Sequence, residues 1–336
     1  MKIDGFDTDQ KVLIIAEIGN NHEGNFDLAK EMIAAAAKAG AHAVKFQTFR
    51  PEHYVSQADT VRFERLKKFS FSEEQFKQLS ECANKHGVMF VSTPFDLHSA
   101  QFLNAIVPVF KVSSSDNTFY PLLEKIAHFN KPVIISSGLT DLDEITNTKT
   151  FIEQIWKRNN FTQELAILHC VASYPVPENE INLASIRKLR EHLNCTIGYS
   201  DHALGIEAAV LSVAMGARII EKHFTLDKNY SDFRDHQLSA DPNELKQMVS
   251  RIKQAEVMLG QNEVLIGECE KSSLNALRRS IIATRELQVG ELVKVDDISW
   301  VRPGGGIPPG QENLILGKKV IKTIGSGEQI TEKHLN

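Results

Sequence analysis

Eight short apolar segments recur along the first 225 or so residues, and each ends in polar side chains. The segments are Val12–Gly19, Ala41–Thr48, Val88–Phe95, Val107–Ser114, Pro132–Gly138, Leu165–Ala172, Cys195–His202 and Ala217–Thr225. A stretch able to form a helix separates each segment from the next. Apolar strands that alternate with helices are typical of a parallel sheet. Eight such units close a (β/α)₈ TIM barrel, so the pattern predicts an α/β fold of this type.

The connections between these segments complete the predicted barrel. Residues 1–10 are expected to form a short hairpin that seals its bottom. Helices are predicted over residues 26–38, 73–86, 97–105, 119–129, 141–158, 181–193, 205–215 and 242–259, where apolar residues recur at helical spacing. Residues 50–71, after the second strand, are predicted to be a long polar loop. Such a loop in a compact domain usually serves as a lid or binding loop.

The pattern changes after Gly260. Short apolar stretches are now punctuated by Gly and Pro, as in the loop Gly304–Gly310, and little helical periodicity remains. We predict a barrel domain over residues 1–260, a linker over 261–275 and a small β-rich module over 276–336. A module of about 60 residues is near the lower size limit for independent folding, so it is expected to lean on a partner surface.

Composition narrows the class of protein. The 336-residue chain has 24% charged residues, an ordinary share for a soluble globular protein, and a net charge of −5 that argues against nucleic-acid binding. No apolar run approaches the roughly 20 residues that a membrane helix needs. Four scattered cysteines without metal-type spacing fit a reducing compartment. We therefore expect a cytoplasmic protein without membrane contact.

Chemically capable side chains cluster at the ends of the predicted strands. A TIM barrel carries its active site at the carboxyl ends of its strands. The residues at those ends are Glu17, Lys45, Gln47, Thr93, Lys111, Ser114, Ser136, His202, Glu221 and His223. This concentration of ionisable and hydroxyl groups predicts an enzyme.

His202 and His223 end the seventh and eighth strands, which are neighbours in an eight-stranded barrel. Glu221 lies two residues before His223 and so faces the same side of its strand. Two histidines with a nearby carboxylate can bind a divalent transition metal and leave positions open for substrate. The alternative is a hydrogen-bonded wall histidine; two histidines at neighbouring strand ends favour the metal site.

Lys45 and Lys111 admit two functional interpretations. Each can be a cation for a phosphate or carboxylate, or can form a Schiff base once burial lowers its pKa. The neighbouring serines favour anion binding. Glu17, a carboxylate in an apolar strand, is either a proton-transfer group with a raised pKa or the partner of a barrel lysine in a structural ion pair.

Tyr174 and Asp201 each have a structural alternative. Tyr174 either offers a hydroxyl above the barrel or belongs to a stiff turn with Pro175. Asp201 either orients a ligand histidine or caps the following helix. Both alternatives stay open from the sequence.

Several segments together resemble the sialic acid synthase family, whose members condense phosphoenolpyruvate with an N-acylated amino sugar. The similar segments are Ala16–Gly24, Val44–Thr48, Ser92–Phe95, Phe110–Ser114, Tyr199–His202 and Ile220–Thr225. The C-terminal stretch from about Arg279, with Arg302-Pro303-Gly304, resembles the antifreeze-like (SAF) domain of that family. The likeness is collinear over nearly the whole chain, which makes it more specific than any single motif.

The resemblance implies a role for each candidate residue. His202 and His223 would hold Mn²⁺, with Mg²⁺ or Co²⁺ as alternatives. Phosphoenolpyruvate would be bound by Lys45, Lys111, Ser114, Ser136 and Ser200, with Thr93 close by. Glu17 would handle the reacting water, and the sugar would contact Glu221, Gln47, Tyr174 and Asp235. A domain-swapped homodimer is implied, in which Arg302 reaches the partner's amino sugar.

Two departures from the family pattern concern the sugar. Ala172 stands where sialic acid synthases proper often carry Asn, and Ser231–His236 replaces a common Gly-Pro-Asp pattern. Legionaminic and pseudaminic acid synthases are therefore comparable alternatives. Two other functions remain open: a Schiff-base, pyruvate-dependent aldolase on the same barrel, and a non-catalytic binding or assembly protein.

Overall fold

The computed structural model of the protein describes residues 1–261 and 263–336. Asn262, which falls in the predicted linker, lies outside the described residues. The chain divides into two compact units, Met1–Gly260 and Gln261–Asn336.

The first unit is a closed barrel of eight parallel strands, as predicted. A hairpin of β1 (Lys2–Ile3) and β2 (Phe6–Asp7) precedes it. The barrel strands are β3 (Leu13–Gly19), β4 (Ala43–Thr48), β5 (Met89–Pro94), β6 (Phe110–Val112), β7 (Val133–Ser136), β8 (Leu165–Cys170), β9 (Thr196–Asp201) and β10 (Ile219–His223). The strands follow one another around the barrel in chain order, and β10 pairs with β3 to close it.

Helices surround these strands and continue into the second unit. They are α1 (Phe26–Ala39), α2 (Pro51–Tyr54), α3 (Thr60–Phe69), α4 (Glu73–Lys85), α5 (Leu97–Leu103), α6 (Tyr120–Ala127), α7 (Leu142–Arg158), α8 (Ala184–His192), α9 (Glu207–Ala214), α10 (Asp235–Leu238), α11 (Pro242–Leu259), α12 (Glu268–Lys271) and α13 (Leu274–Leu277). Local sequence sets the ends of several. Asp141 and Asp241 form capping boxes that begin α7 and α11, and Gly40 ends α1 at a φ of 96°.

The predicted loop over residues 50–71 is wrong, because this segment forms α2 and α3. Pro51 occupies the first turn of α2, and the side chain of Asp59 accepts a hydrogen bond from the Arg62 amide to begin α3. Leu66 and Phe69, three residues apart, give α3 a buried face. The high charge of this segment obscured that apolar spacing.

Strand alternation divides the barrel core into two layers. Ile14 and Ala16 belong to the outer layer that packs against the helices, whereas Leu13 and Ile15 belong to the inner layer. Met1 and Ile3 of the hairpin join the inner layer, so the hairpin seals one end of the barrel as predicted. Because side chains alternate along a strand, the next inward residue of β3 is Glu17.

The second unit has a small core of its own. β11 (Ser280–Ala283) and β12 (Ile298–Val301) pair antiparallel, and Ile281 and Leu287 lie in an apolar cluster with Val293 and Ile324. Within the two described ranges of the chain, no helix is both long and apolar enough to cross a bilayer.

Candidate active site

Inward-facing residues at the carboxyl ends of the strands surround a cavity of about 680 Å³. Alternation places Lys45 two residues after inward Ala43, and Glu221 two residues after inward Ile219. The predicted residues that line the cavity are Glu17, Lys45, Gln47, Thr93, Lys111, Ser114, Ser136, Tyr174, Ser200, His202, Glu221, His223 and Asp235. Arg302 lies in the C-terminal unit, directly after β12, and is exposed.

Two lysines and two carboxylates form a buried ionic chain on the cavity floor. Lys45 Nζ lies 2.7 Å from Glu17 Oε2 and 3.7 Å from Glu221 Oε1. Lys111 Nζ lies 3.6 Å from the same Glu221 oxygen. Each of the four residues is no more than 5% exposed. Burial of this many charges is tolerated because each cation faces a carboxylate.

The environment pushes the pKa values of the two carboxylic acids apart. Burial raises the pKa of Glu17 to about 7, with the Glu221 charge adding to the effect and Lys45 opposing it. Burial also acts to raise the pKa of Glu221, but Lys111 and Lys45 outweigh it and lower that pKa. Glu17 can therefore exchange a proton near neutral pH, whereas Glu221 stays ionised.

The pKa values of the two lysines are also shifted in opposite directions. Burial acts against the charged form of Lys45, but the carboxylates of Glu17 and Glu221 outweigh it and raise the pKa. For Lys111 burial prevails and lowers the pKa. Lys45 is thus held as a cation, and Lys111 is the better candidate for a nucleophilic amine.

Hydroxyl groups surround both ammonium groups. Thr93 accepts a hydrogen bond of 3.2 Å from Lys45, and Ser136 accepts one of 2.8 Å from Lys111. Ser200 donates to Glu221 Oε1 at 3.2 Å. Ser114 accepts a hydrogen bond from the Gly138 amide at 3.1 Å. Cations and hydroxyl donors together are suited to phosphate and carboxylate groups.

Gln47 links the ionic chain to a residue that the sequence analysis missed. Its amide donates to Glu17 Oε1 at 3.2 Å, and its carbonyl accepts a hydrogen bond of 2.8 Å from Asn20. Asn20 also lines the cavity. Its position directly after β3 was the available signal for it.

His202 and His223 face one another at the cavity, with ring centres 5.3 Å apart. Two imidazoles on one cation, with metal–nitrogen bonds of about 2.1 Å, bring their ring centres to about 4.5–5.3 Å. His202 Nδ1 donates to the Val171 carbonyl at 2.9 Å, so Nε2 is the ring nitrogen left for a cation. Within the described residues, His223 Nδ1 is buried without a hydrogen-bond partner. The pair therefore fits a shared divalent cation.

Protonation of these two rings differs. Burial, together with the charges of His202 and Lys45, lowers the pKa of His223 well below its usual value, so this ring is neutral, the state in which an imidazole can bind a metal. Burial opposes the charged form of His202, but Cys170, with Sγ 3.8 Å from Nδ1, outweighs it and raises the pKa. A cation at His202 would therefore have to displace a proton. Among the described residues, no third His, Cys, Asp or Glu completes a preformed metal cluster with this pair.

The structure gives Asp201 a role different from both alternatives that the sequence left open. Its Oδ2 lies 3.0 Å from Lys222 Nζ, and both side chains are fully buried. Its Oδ1 accepts hydrogen bonds from Tyr199 and from the Ala203 amide. Asp201 therefore neither contacts a histidine ring nor caps α9; it fixes the turn that carries His202. Lys222 faces away from the cavity, as alternation along β10 requires.

Tyr174 and Asp235 meet at the cavity rim through Arg234, a residue that the sequence did not single out. The Arg234 guanidinium lies 4.5 Å from the Tyr174 ring centre and 3.4 Å from Asp235 Oδ1. Arg62 and Arg65 on α3 also line the cavity and were missed. Their i, i+3 spacing next to an Asp59 cap was the signal for a cationic helix, which the loop prediction obscured.

Comparison with known proteins identifies the family. Residues 32–264 match the NeuB family and residues 278–336 match the SAF domain. An N,N'-diacetyllegionaminic acid synthase of Campylobacter jejuni is 36% identical, over 96% of this chain and 100% of the relative. A pseudaminic acid synthase of the same species is 34% identical, over 99% of both chains.

A solved structure agrees with these matches. The crystal structure of N-acetylneuraminic acid synthetase from Leptospira borgpetersenii superposes with a TM-score of 0.74 at 35% identity, over 78% of this chain and 90% of that one. Since these relatives are synthases, the chain is an enzyme of the same type, and the alternative of a non-catalytic scaffold is excluded. The chain belongs to the NeuB family of sialic-acid-type synthases and ends in a SAF domain.

Proposed function

We propose that this enzyme condenses phosphoenolpyruvate with an N-acylated amino sugar and water, giving a nine-carbon ulosonic acid and phosphate. The observation that carries the proposal is the cavity floor. Lys45 and Lys111 both lie within 3.7 Å of the same Glu221 oxygen, and each has a hydroxyl partner. Two cations with hydroxyl donors suit a ligand with two anionic groups, a carboxylate and a phosphate.

The reaction forms one carbon–carbon bond and breaks one carbon–oxygen bond. C3 of the enol phosphate forms a bond to the aldehyde carbon of the open-chain sugar, and the aldehyde oxygen gains a proton. Water adds to the cationic C2 and loses a proton. The C2 hydroxyl then loses its proton and becomes the C2 carbonyl as the bond between C2 and the bridging oxygen breaks, and phosphate leaves with the electron pair of that bond. Lys45, Lys111, Ser114, Ser136 and Ser200 hold the enol phosphate during these steps, and Thr93 holds Lys45.

Glu17 accepts the proton of the attacking water. Its pKa of about 7 makes proton transfer in both directions feasible at neutral pH. Glu221 is unsuited to this task, because its neighbouring lysines keep it ionised. Glu221 instead balances the lysine charges and contacts the sugar.

His202 and His223 would hold a divalent cation, Mn²⁺ in the first instance, that polarises the sugar aldehyde as a Lewis acid. The neutral state of His223 supports this assignment, as does the Nδ1 bond of His202 to the Val171 carbonyl, which leaves Nε2 as the ring nitrogen for a cation. Mg²⁺ and Co²⁺ are the alternatives.

The sugar lies above this floor, against Gln47, Tyr174 and Asp235. The candidate sugars are N-acetylmannosamine and a diacetamido-trideoxyhexose, the latter in keeping with the similarity to legionaminic and pseudaminic acid synthases. Ala172, which lines the cavity, leaves room that an Asn side chain would fill. In a domain-swapped homodimer, Arg302 of one subunit reaches the amino sugar bound by its partner.

The test is phosphate release from phosphoenolpyruvate with a panel of N-acylated amino sugars. With ¹⁸O in the bridging oxygen, we expect all label in phosphate, and with H₂¹⁸O we expect label at C2 of the product. Label retained in the sugar acid would contradict C–O cleavage. Borohydride trapping of a pyruvate adduct on Lys111, without phosphate release, would instead establish the Schiff-base aldolase.

A further inference from the structure

Three guanidinium groups at the cavity rim have no part in the chemistry proposed above. Arg62 and Arg65 lie on α3, and Arg234 directly precedes α10. All three line the same cavity as the catalytic floor. Because residues three apart on a helix are neighbours on its surface, Arg62 and Arg65 act from one face of α3.

α3 is a fixed part of the cavity wall. Leu66 packs in an apolar cluster with Phe49 and Phe95, which follow β4 and β5. The Phe69 ring meets the Phe233 ring edge-on, with centres 5.5 Å apart. Gly24 lies so close to the end of α3 that a Cβ there would overlap the Lys68 carbonyl oxygen. Contacts on three sides therefore hold the two arginines at the rim.

The two α3 arginines differ from Arg234 in their neighbours. In the described parts of the chain, neither guanidinium has a carboxylate within 4.0 Å. Arg62 lies over the Tyr54 ring, 5.4 Å from its centre, which orients the group without neutralising it. Arg234, in contrast, has Asp235 beside it.

These two arginines supply two of the five side-chain cations that line the cavity. The other three cations are Lys45, Lys111 and Arg234, and the acidic side chains in the lining are Glu17, Asp232, Asp235 and Glu221. With all four acids ionised, these side chains sum to +1, and to −1 without the α3 arginines. A proton on Glu17 or a cation on the two histidines would make either sum more positive. The whole chain carries −5. An enol phosphate with a carboxylate carries about −2.5 to −3 at neutral pH, so the protein as a whole repels it.

We propose that Arg62 and Arg65 form an electrostatic capture site that attracts phosphoenolpyruvate to the cavity and guides it to the lysine floor. This inference rests on the proposed function. A cleft with one sign of charge can raise the rate of capture of an opposite charge by 10-fold to 10³-fold, and added salt weakens the effect. Arg62 and Arg65 are thus positioning residues, which need not touch the reacting atoms.

The test compares the double variant Arg62→Gln/Arg65→Gln with the control Lys67→Gln/Lys85→Gln. The control removes the same charge from α3 and α4 at residues outside the cavity lining. kcat/KM for phosphoenolpyruvate is measured at saturating sugar from low to high NaCl. Equilibrium binding of phosphoenolpyruvate is measured in parallel, and circular dichroism verifies the fold.

We expect the arginine variant to lose about tenfold in kcat/KM for phosphoenolpyruvate at low salt. Its dependence on NaCl should flatten, while kcat and the KM for sugar stay within about twofold of the wild type. The control should keep the wild-type salt dependence. A parallel loss in both variants would overturn the proposal, because only total charge would matter. An increase confined to the KM for sugar would also overturn it, since the arginines would then contact the sugar.

The binding measurement separates this inference from the proposed function. If the wild type binds phosphoenolpyruvate with salt-dependent affinity that only the arginine variant loses, the capture site stands even if the sugar acceptor was chosen wrongly. If phosphoenolpyruvate binds neither protein, the proposed function itself fails.

Discussion

Glu17 and Lys45 are register partners on adjacent parallel strands, and their charged atoms lie 2.7 Å apart beneath the cavity. The sequence left two interpretations of Glu17, a structural ion pair and a proton-transfer group. The structure combines them, because the ion pair exists while burial still raises the pKa of Glu17 to about 7.

The first prediction concerns pH. The ionised fraction of Glu17 falls as pH drops below about 7. If Glu17 acts as a base, the rate of the reaction therefore falls at low pH. We expect kcat of the wild type to rise with pH up to about 7. Glu17→Gln should lower kcat by at least about 100-fold and remove that rise, because general base catalysis contributes 10²–10⁴-fold.

The measurement is the pH profile of phosphate release between pH 5.5 and 8.5 for both proteins. Glu244→Gln, an exchange on α11 outside the cavity, is the control and should keep the wild-type profile. If kcat of Glu17→Gln falls towards low pH as it does in the wild type, the fall is caused by another group, such as the substrate phosphate.

The second prediction concerns the metal. His223→Ala and His202→Ala should each abolish binding of Mn²⁺. Binding is measured by electron paramagnetic resonance, because the signal of free Mn²⁺ disappears when protein binds the ion. The signal should therefore persist when either variant is added. Turnover that depends on added metal should disappear while the melting temperature is retained. His169→Gln is the control, because this buried histidine bonds to the Ile181 carbonyl and does not line the cavity. Wild-type metal binding by His223→Ala would refute the assignment.

The third prediction concerns the buried pair Lys222 and Asp201. Lys222→Met leaves the Asp201 carboxylate without its counter-charge in a fully buried site. We expect a loss of about 3–5 kcal/mol in the free energy of unfolding, measured with urea. The double variant Lys222→Met/Asp201→Leu should recover part of that loss. A single variant as stable as the wild type would show that the pair contributes nothing.

The fourth prediction concerns the C-terminal unit. Arg302→Ala should raise the KM for the amino sugar about tenfold or more and leave the KM for phosphoenolpyruvate unchanged, since a guanidinium hydrogen bond contributes about 1.5–3 kcal/mol. Arg279→Ala, an exchange in the same unit, is the control. Full catalytic efficiency of a chain that lacks residues 276–336 would refute a role of this unit in sugar binding.

The sequence alone determined the barrel and most of the side chains around its cavity. Period-two alternation fixes which residues point inward, and strand ends such as Glu17, Lys45 and His223 fall at the same level of a parallel sheet. Both features depend on local sequence, so they can be predicted without knowing how the side chains pack.

Only the tertiary structure decided how those side chains act on one another. The pKa values of Glu17 and Glu221 diverge because each faces a different number of lysines, which no spacing in the chain reveals. Lys222, adjacent to Glu221 in the chain, belongs to a separate buried pair. α3 was missed because its apolar face, Leu66 and Phe69, becomes evident only against the partners Phe95 and Phe233. The protonation state and burial of a side chain depend on its neighbours in space, and the tertiary fold determines which residues those neighbours are.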